Sequence, residues 1–252
     1  MDMLLSETHD GFAHLTLNRP AQRNALTTAL LEKLAARLEQ LSEDGSCRAV
    51  LISGAEGHFA AGADIGEIEA KGRAEGALDP RKGHWNRIRR FPKPLVAAVD
   101  GFCLGGGFEL ALMADCLVVG GTAKLGLPET NLGLIPGAGG TQRLMALAGR
   151  ARAMRMVLTG EIIDAATAEA WGIAGWRAEG PALPVAEDLC ERLAGRAPLA
   201  LMAAKAAMVK GSEDNLAFNA ERTAFEALLD SADKQEGIRA FRDKRKPEFK
   251  GE

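Results

Sequence analysis

Apolar positions recur at two periods along this chain. Residues 4–8 and 13–17 flank a His9-Asp10-Gly11 turn, and the pattern predicts a β-hairpin that Asn18-Arg19-Pro20 brings to an end. From 27 to 41 the leucines at 30, 31, 34, 38 and 41 fall on one helical face. Short apolar runs at 49–53 and 94–99 predict buried strands, and 118–119 and 124–125 read as two more. Residues 69–90 are polar, glycine-bearing and without a clean period, which predicts a mobile surface segment. From Thr141 onward the spacing is helical, over 141–148, 151–158, 165–171, 185–193, 200–209, 215–229 and 232–241. Asp164 is placed to cap the third of these helices, and Pro198 falls in the first turn of a later one. Strands and helices alternate early and helices alone close the chain. The expectation is one α/β protein with a core over 1–195 and a helical region over 196–252. No repeat of fixed period is present.

Composition adds one positive signal. Eleven of the 29 glycines lie between Gly101 and Gly140 in a chain of 252 residues, so the excess is local rather than diffuse. A local cluster without a period excludes a collagen-like or low-complexity origin and marks one site. The remaining numbers exclude. A net charge of −3 gives no global basic field for nucleic acid or anionic lipid. The first ten residues lack a basic segment, which argues against a secretory leader, and no apolar run approaches the roughly 18 residues of a membrane span. Cys47, Cys103, Cys116 and Cys190 are widely separated in apolar segments, which fits buried free thiols, a reducing compartment and a cytoplasmic protein. His9, His14, His58 and His84 show no metal spacing, so no metal is expected. Dinucleotide, P-loop and serine-hydrolase signatures are absent from the sequence.

Two glycine-bearing segments could present backbone N–H groups to a ligand. In Ala61-Gly62-Ala63-Asp64-Ile65, Asp64 and Glu67 read as a capping box with Ala63 just before it. In Gly105-Gly106-Gly107, a helix starts where no side chain shields its unpaired amides. Two amides aimed at one point would form an oxyanion hole; the alternative is that the glycines only allow close packing. The helix after the triplet is apolar except for Glu109. Burial would raise the pKa of that carboxyl, as acid–base chemistry near neutrality requires, unless an arginine holds it as a structural ion. A second carboxylate, Glu129, follows Pro128 in an apolar setting. Together they suggest paired proton transfers at an enolate.

The ordered set resembles the enoyl-CoA hydratase/isomerase (crotonase) family along nearly the whole chain. The resemblance rests on Leu17-Asn18-Arg19-Pro20, Asn24-Ala25-Leu26, Ala61-Gly62-Ala63-Asp64-Ile65, Lys93-Pro94 through Gly101 and Gly105-Gly106-Gly107-Phe108-Glu109-Leu110-Ala111. It continues through Pro128-Glu129, Gly133, residues 135–143, Leu158-Thr159-Gly160 and residues 241–249. It implies a crotonase-like ββα spiral, a helical C-terminal trimerisation region, and a homotrimer or dimer of trimers. The implied substrate is an acyl-CoA thioester, with coenzyme A part of the substrate and no separate cofactor. By position, Ala63 and Gly106 match the oxyanion-hole amides, and Glu109 and Glu129 match the two glutamates of hydratases. Ala61, Asp64, Ile65, Gly105, Pro128 and Gly137 fall at substrate-binding positions.

The implied reaction is reversible addition of water to a 2-enoyl-CoA, giving an (S)-3-hydroxyacyl-CoA, as in fatty-acid β-oxidation. Within the family, a Δ3,Δ2-enoyl-CoA isomerase or another acyl-CoA lyase is the alternative. An RNA-binding relative is a non-enzyme alternative, suggested by the basic clusters at 81–90 and 143–155 and opposed by the net charge. Gly66 departs from the lysine common at its position. Lys244 is read as a solvated lysine in preference to a coenzyme contact. Residues 71–90 would cover the acyl pocket, and their Arg81, Lys82, Arg87, Arg89 and Arg90 are read as a solvated face in preference to a distal-carboxylate site.

Overall fold

The computed structural model describes residues 2–212, 222–223 and 225–247. Strand β1 (Leu4–Thr8) pairs antiparallel with β2 (Phe12–Leu17), as the hairpin pattern predicts. Parallel neighbours then accrue in chain order: β3 (Ala49–Gly54), β4 (Leu95–Val99) and β6 (Cys116–Val119), with β9 (Trp176–Arg177) at the edge. A second sheet joins β5 (Phe102–Leu104), β7 (Lys124–Gly126) and β8 (Ile162–Asp164). Single bridges extend it through Ala60 to Cys103 and through Leu26 to Ala63. Successive turns of chain therefore place one strand in the large sheet, a shorter extended segment in the small one, and then helix. That is the ββα spiral, and it repeats in structure without a repeat in sequence.

Leucine periodicity builds the first helix, α1 (Thr28–Glu43). Thr27 caps it through its side-chain oxygen, which accepts from the Leu30 amide at 3.2 Å. Leu30, Leu31, Leu34, Leu38 and Leu41 all enter the core. Beneath its C-terminal end the buried ammonium of Lys93 donates to the carbonyls of Leu41, Asp44 and Cys47 at 2.7, 2.7 and 2.8 Å. A charge taken out of water needs such partners, and these carbonyls in turn need a donor.

Residues 69–90 are not the mobile surface expected of them. They follow α2 (Ile65–Glu69) with two further helices, α3 (Arg73–Ala77) and α4 (Arg81–Arg89). Helix α4 packs on α1 and buries Arg81, Trp85 and Ile88. Its apolar stripe is only two residues wide and is interrupted by charges, too sparse for periodicity to reveal. The capping box is also corrected. Asp64 does cap α2 through the Gly66 amide, but the Glu67 carboxylate turns to Thr28, accepting from its amide at 2.9 Å and its hydroxyl at 2.6 Å.

The later chain is mostly helical: α5 (Gly106–Ala111), α6 (Gly140–Ala148), α7 (Arg150–Thr159), α8 (Ala165–Ala170), α9 (Leu183–Ala194), α10 (Pro198–Ser212) and α11 (Ala232–Arg242). Strands β8 and β9 interrupt a stretch read as helices alone; at three and two residues they are too short to show alternation. Of the helix expected at 215–229, residues 222–223 and 225–228 are helical, while 215–221 and 224 lie outside the described residues, as do 248–249 of the C-terminal match. Asp164 caps α8 through the Thr167 amide, as expected.

The four cysteines are free, and three are buried. The hairpin gathers Glu7, His9 and His14 so that one ligand atom from each lies within 4.8 Å of the others, a grouping that linear spacing hides. His14 bonds to Ser53 at 2.7 Å and His9 stacks on Phe12, as packing histidines do. No described helix is long and apolar enough to cross a membrane.

Candidate active site

Two backbone segments converge between the sheets. Ala60 and Ala61 donate to Phe102 and Arg23, Leu26 donates to Gly62, and Asp64 donates to Leu26. That ladder holds the 60–64 loop from both sides but leaves two amides out: among the described residues, neither Gly62 nor Ala63 donates to a backbone carbonyl. The second segment is the glycine triplet, whose members have three different jobs. Gly105 takes φ +50 to swing β5 into α5, a conformation an L side chain rarely adopts. A Cβ at Gly107 would stand 2.3 Å from the Ala60 carbonyl oxygen, so close packing explains that glycine. A Cβ at Gly106 would meet only the Ala63 amide nitrogen at 3.5 Å and more distant atoms. Packing therefore does not require Gly106. Its bare amide, which also lacks a backbone acceptor among the described residues, opens beside that of Ala63.

Glu109 sits on the fully buried helix α5. Its carboxylate is not isolated, as the sequence suggested. Its Oε1 accepts from the amides of Ala138 at 2.7 Å and Gly140 at 2.9 Å, where the chain enters α6. Burial pushes the Glu109 pKa up, while these amides, the charge of Arg143 and the Gly137 amide pull against it. Helix α6 thus stabilises the anion that desolvation disfavours. Glu129 begins a short 3-10 helix, Glu129–Leu132, directly after Pro128. A Cβ at Gly105 would come 3.3 Å from its Oε1, so Glu129 stands against the triplet. The two carboxylates, 20 residues apart in sequence, line one cavity of about 300 Å³.

Ala61, Ala63, Ile65, Gly105, Gly106, Pro128 and Gly137 line the same cavity. Asp64 does not: its carboxylate pairs with Arg19 at 3.1 Å and caps α2. From residues 71–90, expected to cover the acyl pocket, Lys71, Arg81 and Trp85 do line it; the sequence did not point to the apolar Leu134, Phe225 and Leu229 or to the cations Arg23 and Arg222. Arg81 is only 6% exposed, so the solvated-face reading fails for it. Elsewhere in the two basic clusters, Arg87 pairs with Glu39 and Arg155 with Glu161, both at 2.5 Å. Lys244 is exposed, as expected, with φ +53.

A family model described as enoyl-CoA hydratase/isomerase matches residues 7–252. The chain belongs to the enoyl-CoA hydratase/isomerase family. The 2,3-dehydroadipyl-CoA hydratase of Escherichia coli K12 is 45% identical over 240 residues, 94% of each chain. The human mitochondrial enoyl-CoA hydratase domain-containing protein 2 is 39% identical over 257 residues, 98% of this chain and 88% of the relative. In structure, carnitinyl-CoA hydratase from Mycobacterium avium superposes with a TM-score of 0.88 at 34% identity, covering 99% of both chains. The spiral fold is that of this family. The hydratases among its relatives are hydro-lyases, and the chain is an enzyme of that class.

Proposed function

We propose that the chain hydrates 2-enoyl-CoA thioesters reversibly, using Glu109 and Glu129 as paired proton carriers. The observation that carries this reading is one cavity holding two carboxylates beside two free amides. The amides of Ala63 and Gly106 hold the thioester oxygen, where negative charge grows as water attacks. Each such donor typically contributes about 2.7–4 kcal/mol to the transition state. Glu109, whose anion accepts from the amides of Ala138 and Gly140, takes a proton from water as its oxygen bonds to Cβ. Glu129 starts protonated and delivers its proton to Cα. The product is a 3-hydroxyacyl-CoA, expected in the (S) form, and one proton exchanged with solvent resets the pair. Water adds as H and OH with no change in electron count, so the step calls for no redox cofactor; coenzyme A arrives as part of the substrate.

The family's homotrimer, or dimer of trimers, is the proposed assembly. Its support is a run of exposed apolar side chains, Met145, Leu147, Met154, Leu158 and Ile162, on α6, α7 and β8. A cytoplasmic place and a role in β-oxidation-type degradation belong to the same proposal.

The test is loss of the ultraviolet absorbance of a conjugated enoyl thioester. Glu109→Gln and Glu129→Gln should each slow it at least about 100-fold, the lower range for a positioned acid or base, while ligand binding persists. Near wild-type turnover by either variant would overturn the two-glutamate mechanism. Conversion of a 3-enoyl thioester without hydration would point to the isomerase instead.

A further inference from the structure

Arg81 is a buried cation with donors to spare. Its side chain is 8% exposed and lines the cavity that holds Glu109 and Glu129. Among the described residues its guanidinium makes no hydrogen bond; its one ion pair is with Glu67 at 3.7 Å, beyond hydrogen-bond reach. The Oε2 of Glu67 already accepts twice from Thr28. Asp79 also attracts Arg81, but its Oδ2 is held by Lys71 at 2.8 Å and its Oδ1 by the backbone amide of Arg81 at 2.9 Å. Of the other cavity cations, Arg23 is exposed to water, with its guanidinium over the Phe102 ring at 5.0 Å. Lys71 has Asp79, and Arg222 donates to Glu226 at 2.9 Å and to the Gly76 carbonyl at 3.0 Å. A guanidinium out of water with unused N–H groups calls for an acceptor, and its planar fork matches a carboxylate held by two parallel bonds.

We propose that Arg81 forms a carboxylate subsite in the acyl cavity, and that the substrates are 2-enoyl-CoA thioesters whose acyl chain ends in a carboxylate. This rests on the reading of the cavity as an acyl-CoA site. Arg81 and Trp85 are one helical turn apart on α4 and so share a face, with Ile65, Leu134 and Leu229 elsewhere in the wall. The apolar side chains take the methylenes while Arg81 takes the terminal charge. The acceptor Arg81 lacks within the protein is thus supplied by the substrate.

The experiment pairs six-carbon acyl chains that differ only at the far end: methyl, carboxylate or neutral amide. Binding of the saturated CoA thioesters is measured by calorimetry, and kcat/KM is measured on the 2-enoyl forms. The wild-type protein should favour the carboxylate over the methyl end at least tenfold in both, with the amide between. Arg81→Gln should lower that preference at least tenfold, and Arg81→Lys should restore part of it as a point charge without the fork. No preference in the wild-type protein, or an Arg81→Gln loss shared equally by all three chain ends, would overturn the subsite. Should Arg81→Gln fail to fold, the wild-type preference and the Arg81→Lys ratio decide. Hydration without end-group preference removes the subsite and leaves the hydratase reading; binding preference without hydration does the reverse.

Discussion

The Glu109 carboxylate lies 2.9 Å from the amide of Gly140, a partner 31 positions later in the chain. The contact sets two opposed effects on one group: burial in α5 favours the neutral acid, and the entry to α6 favours the anion. Burial is the larger, so the pKa is raised relative to an ordinary glutamate.

This has a sign that can be checked. A carboxyl whose pKa is higher folded than unfolded binds its proton more tightly in the native state. Its contribution to stability is therefore complete below the unfolded pKa and lost as pH rises through the folded one. Glu109→Gln cannot ionise. The Tm of the variant minus that of the wild-type protein should increase between pH 4.5 and pH 8, in line with the roughly 4.3 of a free glutamate. A flat or falling difference would show that the amides of Ala138 and Gly140 outweigh burial.

Neighbouring glycines should respond differently to the same substitution. Gly107→Ala drives a methyl to 2.3 Å from the Ala60 carbonyl oxygen, which is backbone and cannot yield cheaply. It should cost about 1–3 kcal/mol, the usual scale of overpacking, seen as a lower Tm. Gly106→Ala makes only ordinary contacts, the nearest at 3.5 Å, but sets its methyl before the Ala63 amide. It should keep the Tm within a few degrees and lower kcat at least about 100-fold, as loss of an oxyanion donor does. The contrast is read from calorimetry and turnover on the same preparations.

Lys93→Met tests the buried ammonium under α1. Removing it takes a donor from the carbonyls of Leu41, Asp44 and Cys47 together and leaves Asp44 with the Cys47 amide at 3.1 Å. At about 1–3 kcal/mol for a stranded buried polar group, the expected loss is about 3 kcal/mol after partial rescue by water. Urea unfolding with an unchanged m-value would measure it. A loss below about 1 kcal/mol would mean that other donors reach these carbonyls.

Assembly is the fourth prediction. Light scattering should show a trimer or hexamer, and Leu158→Asp, which places a charge on an exposed apolar position of α7, should shift the mass toward monomer. A monomeric wild-type protein would leave that apolar face to another partner.

How much was legible in the residues depends on range. The hairpin, the leucine face of α1 and the Asp164 cap were written locally and form as expected, because two to five neighbouring residues suffice to specify them. Glu109 and Glu129 were legible as chemistry, an acid in each of two apolar segments, but their shared cavity was not. Helix α4 was misread because Arg81, Trp85 and Ile88 supply too few apolar positions for a period, and α1 provides the rest of their surroundings. The pairing of Asp64 with Arg19, away from the cavity lining, was not legible, because a carboxylate after Ala63 looks the same in sequence whether it faces ligand or Arg19.

The sequence alone determined the alternation of element types, the free thiols, and a local glycine cluster beside two acids. Only the tertiary structure decided which glycine frees an amide and which merely fits, that Glu109 leans on the start of α6, and that Arg81 is inside. The physical reason is that period and capping act over one or two turns of chain. Burial, orphaned donors and cavity walls are made by segments 20 to 150 residues apart, such as Gly105 with Glu129 and Gly76 with Arg222.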